Sequence, residues 1–423
     1  MRYNRAAIVL LFVSSLSYAQ DAGLSDRELI QQLAQQVKAL QEKVGVLESQ
    51  QRASVPSNAD ATPAPVGTPP TQVADNNGQT QSSMQELLEA HGIQWRGFGE
   101  VDYKVLDQRK PELGTYGFAP GSHGNFYTGD FDLLLTSRIN DKASVLSEIV
   151  FGEKDGQQFS VDLARVLFKY DYNDHLRMSF GRYHTGIGYY NTAFHSGSWL
   201  QTTADRPLIM EFAHNGGPLP TQAVGISVTG LIPSGKLGLN YIAEYGSSDT
   251  HRPDLHNDEI EDEDNGNHIN VGLFARPSMF PGLQIGGSFY HDRIGDSTHG
   301  PRLGLSQTIV NTHVVYTQHG IEFLNEGFLI RHAYEQDSRV YNMPAFYSQI
   351  SEQFGHIRPF FRYQYINANP GGFLEDILLR HGPSFGARYD FNDFIAIKAQ
   401  LDHTLRKGQP DLNGLHMQLA FRF

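Results

Sequence analysis

The chain has 423 residues, with 33 Lys and Arg against 46 Asp and Glu, a net charge of −13, 42 Gly, 26 Phe, 20 Tyr, 2 Trp and no Cys. Without cysteine there are no disulfides or thiolate metal sites, and the acidic balance excludes a nucleic-acid binder, which needs a basic face. Hydrophobic residues make up 39%, and the longest apolar run, Ala6 to Val13, is far short of the roughly 18 residues of a membrane-spanning helix.

Residues 1–19 read as a secretory signal peptide. Arg2 and Arg5 form a positive start, Ala6 to Leu16 an apolar stretch, and Ser17-Tyr18-Ala19 a small-x-small cleavage site. Removing the two arginines leaves a mature charge of −13 − 2 = −15. Residues 20–52 read as a short periplasmic α-helical coiled coil, because Ile30, Leu33, Val37, Leu40, Val44 and Leu47 recur in alternating steps of three and four. A helix this short is marginal alone, so the seam implies a homo-oligomer, with two or three strands both open on these residues. A lone amphipathic helix lying on the barrel or on peptidoglycan is the competing reading. Residues 53–83 carry Pro56, Pro63, Pro65, Pro69 and Pro70 and no aromatic residue, the composition of an extended, disordered linker.

Residues 84–423 form the main body, where period-two alternation replaces the helical period from Ile93 onward. In the last segment Leu415, Met417, Leu419, Phe421 and Phe423 share one face, and His416, Gln418, Ala420 and Arg422 the other. Sixteen such segments fill the 423 − 92 = 331 residues, about 21 residues each with their connection. The connections alternate in length: Asn140 to Lys142, Pro233 to Gly235 and Gln318 to Gly320 are terse. Leu106 to Asn125, Tyr183 to Thr221 and Gly246 to Gly266 are long, and Gly152 to Gln158 also falls on the long side. Strict parity predicts an all-β transmembrane antiparallel barrel of about sixteen strands with both ends in the periplasm. Apolar faces then point to lipid and polar faces to a wet lumen. Aromatics near strand ends, such as Trp95, Tyr103, Tyr170, Phe180, Tyr245, Tyr365, Tyr389 and Phe423, suit interfacial girdles.

The parity, the longest connection third in order and the terminal alternation ending on Phe423 resemble the trimeric outer-membrane porins of Gram-negative bacteria. The heptad segment before the barrel and the stretch Gly181-Arg182-Tyr183-His184-Thr185-Gly186-Ile187-Gly188 are similar to the phosphate-selective porin superfamily. The resemblance implies that Leu419, Phe421 and Phe423 belong to a signal read by the barrel assembly machinery. It also implies that the third loop folds into the lumen as a constriction carrying His184, His195, Asp205, Arg206 and Glu211. Facing it, Arg138, Arg165, Lys169, Arg177, Arg182, Arg358, Arg362, Arg388 and Lys398 lie on or beside expected inward faces, with acids at Glu100, Asp102, Asp130, Asp132 and Asp402.

No cofactor or metal is expected, since the spacing of His184, His195 and His214 fits no ligand motif. The acids between Asp254 and Asp264 in the fourth loop read as solvated surface, with loose cation binding at lipopolysaccharide as the alternative. His195-Ser196 and Ser198 lack a nucleophile elbow, so no enzyme is expected. The implied function is passive diffusion of small hydrophilic solutes or ions through an outer-membrane porin, with a mild cation preference. The alternatives are an oxyanion channel, phosphate-like in preference, and a tether from outer membrane to peptidoglycan. Expected partners are outer-membrane lipid and lipopolysaccharide, the assembly machinery and further copies of the chain, a trimer by the resemblance.

Overall fold

The computed structural model describes residues 92–107, 124–154, 158–212, 217–248, 267–294 and 304–423. The signal peptide, the heptad seam with Ile30, Leu33, Val37, Leu40, Val44 and Leu47, the proline-rich linker, the acids of the fourth loop and His214 lie outside them. The strands are β1 (Gln94–Leu106), β2 (Asn125–Arg138), β3 (Ala143–Lys154), β4 (Gln158–Asn173), β5 (Leu176–His184), β6 (Gln222–Ile232), β7 (Leu239–Ser248) and β8 (His268–Ala275). They continue as β9 (Leu283–Ile294), β10 (Leu305–Gln318), β11 (Ile321–Tyr334), β12 (Val340–Glu352), β13 (Ile357–Asn367), β14 (Leu379–Asp390), β15 (Ile395–Arg406) and β16 (Leu412–Arg422).

Every strand pairs antiparallel with its neighbours in sequence, and β1 pairs with β16, so sixteen strands close into one barrel. Closure leaves no open edge, the condition for strands to cross hydrocarbon. At the seam the Gly97 N–H donates to the Phe423 carbonyl at 3.0 Å and the Phe423 N–H returns to the Gly97 carbonyl at 3.1 Å. The Phe423 ring lies 5.7 Å from Trp95 and 5.6 Å from Phe131, centroid to centroid.

The short connections carry a shared turn chemistry. Asn140, Asn173 and Asn392 each turn a side-chain carbonyl back onto two backbone N–H groups further on, at 2.7 to 2.9 Å. This Asx geometry reverses the chain in few residues. The long side departs from expectation at β3 and β4, where only residues 155–157 separate the strands. The extra length there continues the hairpin ladder, which pairs backbone groups that a loop would leave to solvent.

The faces sort as expected on the outside. Ile395, Ile397 and Leu401 of β15 and Met417, Leu419 and Phe423 at the chain end are exposed, whereas Lys398, Gln400, His416 and Gln418 are buried. An exposed apolar band on this scale fits lipid rather than water. Trp95, Tyr172, Phe354, Phe391 and Phe394 stand exposed at the short-turn end, at one girdle level.

The inside corrects the expectation of a uniformly wet lumen. Tyr290, Ile309, Leu324, Phe328, Ile330, Met343, Tyr347 and Ile366, on β9 to β13, are 5% exposed or less and form one apolar cluster. Their partners are Ile187, Tyr190, Phe194, Ile209, Met210 and Leu219 from the third long connection, and Ala368, Leu374 and Ile377 from the connection after β13. Two connections therefore fold inward where one was expected, and they pack an apolar cluster against this part of the wall.

Candidate functional site: the inward loop and the space beside it

The connection between β5 and β6 begins at a narrow neck. The Thr185 N–H donates to the Thr221 carbonyl at 3.0 Å, and the Asn191 side-chain amide donates to the carbonyls of Thr185 at 2.8 Å and Thr221 at 2.9 Å. Two glycines set the approach. Gly181 sits at φ +125°, and a Cβ there would lie 1.9 Å from the Val166 carbonyl oxygen on β4. Gly188 sits at φ +80°, just before the helix α1 (Tyr189–Phe194), where a Cβ would stand 2.5 Å from Glu326 Oε2. Only glycine takes both the left-handed angle and the close contact.

A loop inside a barrel loses water as a hydrogen-bond partner, so the wall must supply partners. Wall acceptors take its N–H groups: Glu244 that of Gly186, Glu326 those of Tyr189 and Tyr190, Gln364 that of Leu208, and Gln400 those of Ala204 and Asp205, all at 2.6 to 3.2 Å. Wall cations take its carbonyls. Arg362 donates to the Asp205 carbonyl at 2.9 Å and the Thr203 hydroxyl at 3.3 Å. Arg388 donates to the carbonyls of Trp199 at 2.6 Å and Gln201 at 3.0 Å, and Lys398 to those of Ser198 at 2.5 Å and Thr203 at 3.1 Å. Charge-assisted bonds of this kind contribute about 1.5–3 kcal/mol each.

The loop is latched at its far side through Asp205. Lys104 of β1 donates to both carboxylate oxygens, at 2.9 and 3.0 Å, and His416 Nδ1 of β16 lies 2.9 Å from Oδ1. The other His416 nitrogen, Nε2, lies 2.7 Å from Asp102 Oδ1, so the ring bridges two carboxylates, a geometry that the doubly protonated ring satisfies. Burial alone would raise the Asp205 carboxyl, but Lys104 and His416 outweigh it and hold the carboxyl below the usual carboxylate range.

Beside the latch, between the loop and β1, β2 and β16, lies a small polar space that opens to solvent. Five carboxylates line it, Glu100, Asp102, Asp130, Asp205 and Glu211, against Lys104, Arg206 and the His416 imidazole. Arg206 stacks 3.8 Å from the Phe212 ring centre and donates to the His195 carbonyl at 2.8 Å.

The residues expected at the constriction divide by height and by task. Arg362, Arg388 and Lys398 do not face the loop across water; they hold it. Arg165 pairs with Glu148 and donates to Ser196 Oγ at 2.8 Å, and Arg182 donates to Gln222 at 2.5 Å beside Asp162. The His184 and His195 rings stack with centroids 3.6 Å apart. Arg358 donates to Gln353 at 2.7 Å near the short turn, and Lys169 lies half-buried in register with Ser144 and Ser179. Arg138 and Arg177 are corrected to the short-turn rim, where they pair with Asp141 and Asp174 as exposed side chains. Alternation gives a side chain's face but not its height on the wall. Lys104, Tyr127 and the loop-holding Glu244, Glu326, Gln364 and Gln400 were missed. Their signal was polar residues at inward positions, which sequence alone ascribes to a wet wall.

No protein-family model matches the sequence, and no curated protein matches it. Among solved structures, the outer membrane channel DcaP of Acinetobacter baumannii aligns over 78% of this chain and 97% of its own, at a TM-score of 0.55 and 10% identity. The fold is that of the sixteen-stranded outer-membrane porins. On the same porin fold, an anion-selective porin from Comamonas acidovorans aligns at a TM-score of 0.51 and 12% identity, over 78% of this chain and 99% of its own. OmpT, an outer membrane protein of Vibrio cholerae solved in a trimer form, aligns at a TM-score of 0.51 and 13% identity, with the same 78% and 99% coverage. Within this barrel, the third loop occupies the lumen and leaves a polar space on the β1, β2 and β16 side.

Proposed function

We propose that the protein is a passive diffusion channel of a bacterial outer membrane, admitting small hydrophilic solutes or ions. One observation carries the reading: a closed barrel with an apolar exterior holds an inward loop and, beside it, a polar space that opens to solvent. A passive anchor needs no lumen shaped this way. The serine and histidine residues weighed as catalytic serve the loop, Ser196 as an acceptor for Arg165 and His195 through Asn191 at 2.7 Å. That supports a channel over an enzyme. The oxyanion alternative loses its main support because Arg362, Arg388 and Lys398 are engaged with loop carbonyls.

Export by the segment 1–19 and assembly into lipid and lipopolysaccharide through the C-terminal strand complete the reading. A trimer joined by the seam from Ile30 to Leu47 accords with the trimer form of the Vibrio cholerae neighbour. The deciding experiment is planar-bilayer recording of the purified full-length protein, where discrete conductance steps are expected. A folded barrel that inserts and gives no steps refutes the channel. Deleting residues 21–50 is expected to weaken crosslinked oligomers while the barrel stays heat-modifiable; unchanged crosslinking refutes the seam's role.

A further inference from the structure

Two residues that line the space beside the latch, Asp102 and Gln418, each carry a buried acceptor oxygen with no donor. Asp102 is 1% exposed, and both of its side-chain contacts fall on Oδ1, from His416 Nε2 at 2.7 Å and Gln418 Nε2 at 3.0 Å. Asp102 Oδ2 has no hydrogen-bond partner among the described residues, and neither has Gln418 Oε1, whose residue is 3% exposed. The amide of Gln418 cannot be turned to relieve this, because its oxygen would then meet the Asp102 carboxylate. A buried carboxylate oxygen and a buried amide oxygen without donors are costly unless something supplies hydrogen bonds or positive charge.

The surroundings specify the charge of what fits. Glu100 and Asp130 line the same space, and Glu100 Oε1 accepts the Asp130 N–H at 3.3 Å. The cations nearby are already engaged: Lys104 chelates Asp205, Arg206 lies on Phe212, and the His416 ring is taken up by Asp102 Oδ1 and Asp205 Oδ1. An anion entering here meets carboxylates first. A cation meets Glu100 and Asp130 first, with the two donor-less oxygens of Asp102 and Gln418 behind them and the Tyr127 side chain, an aromatic group of the kind that favours ammonium, lining the same space.

We infer that this space is a small-cation site on the conduction path, taking ammonium-type cations and short primary amines best, with Asp102 Oδ2 and Gln418 Oε1 as its inner acceptors. The inference rests on the channel reading and adds the class of solute that the channel selects.

The test records full-length protein in planar bilayers under a KCl gradient, then with 1,4-diaminobutane added to one side. The wild type is expected to show a reversal potential of cation sign, with permeability favouring K⁺ by about tenfold, and a conductance that falls as the diamine is added. Glu100→Gln with Asp130→Asn is expected to bring the permeability ratio toward one, and Asp102→Asn to raise the diamine concentration needed for block by about tenfold. Lys236→Gln, exposed in a short turn, serves as the unchanged control. A wild type with steps but an anion-sign or null reversal potential overturns the inference and leaves the channel standing. So does diamine block that persists unchanged in folded Glu100→Gln and Asp102→Asn proteins. Absence of conductance steps overturns the channel itself.

Discussion

Replacing Asp205 by Asn keeps the shape of the latch and removes its charge. In the wild type, Lys104 Nζ sits 2.9 Å from Asp205 Oδ1, with side chains 6% and 25% exposed. At an effective dielectric of about 20, opposite charges at that separation attract by roughly 6 kcal/mol before desolvation is counted. Removing one partner of such a buried pair typically costs about 3–5 kcal/mol, because the other charge stays buried without compensation. Here Lys104 and His416 both lose their shared carboxylate. A loss of about 3 kcal/mol raises the undocked population of the loop's far segment roughly 150-fold, at about 1.4 kcal/mol per decade. The barrel ladder does not depend on the latch, so heat-modifiable folding is expected to persist. Single-channel recording should show larger and noisier open currents, with excursions on the timescale of loop motion. Currents as quiet as wild type from a folded Asp205→Asn barrel would refute the claim that Asp205 fastens the loop.

Acid should act on the same latch in a defined direction. Because the Asp205 carboxyl is held below its ordinary value of about 3.9, its contribution is fully present above that pH and is lost only as pH falls through the lower folded value. Channel noise should therefore stay at its neutral level at about pH 4 and rise only in stronger acid; a rise already near pH 5 contradicts this assignment. Replacing Gly181 by Ala places a Cβ 1.9 Å from the Val166 carbonyl oxygen at a φ that alanine disfavours, so the yield of heat-modifiable barrel should drop several-fold, and a normal yield refutes the constraint. Deleting Phe423 removes two backbone bonds at the seam and an aromatic contact with Trp95, so outer-membrane assembly should fall, and undiminished folded barrel in the membrane refutes its role.

The strand count, the antiparallel order and the outward faces were legible because period-two alternation and turn chemistry are local properties. Asn140, Asn173 and Asn392 announce short turns, and Ile397 beside Lys398 announces an outer and an inner face, with no knowledge of distant partners. The inward position of the third loop came from the porin resemblance, and its large apolar residues agree with it. What the sequence could not decide is which inward residues meet. Arg362 and Lys398 look like the open rim of an anion channel until the structure brings residues about 160 to 200 positions away against them as backbone carbonyls. Likewise Ile309, Leu324 and Ile366 alternate as any inward residues do, yet they form an apolar core because two long connections descend onto them. Asp102, His416 and Asp205 stand more than two hundred residues apart at their widest, and only barrel closure at β1 and β16 sets them side by side. Local periodicity thus determined the wall, while the loop's need for hydrogen-bond partners inside a closed barrel decided which wall residues hold it and which remain to meet a solute.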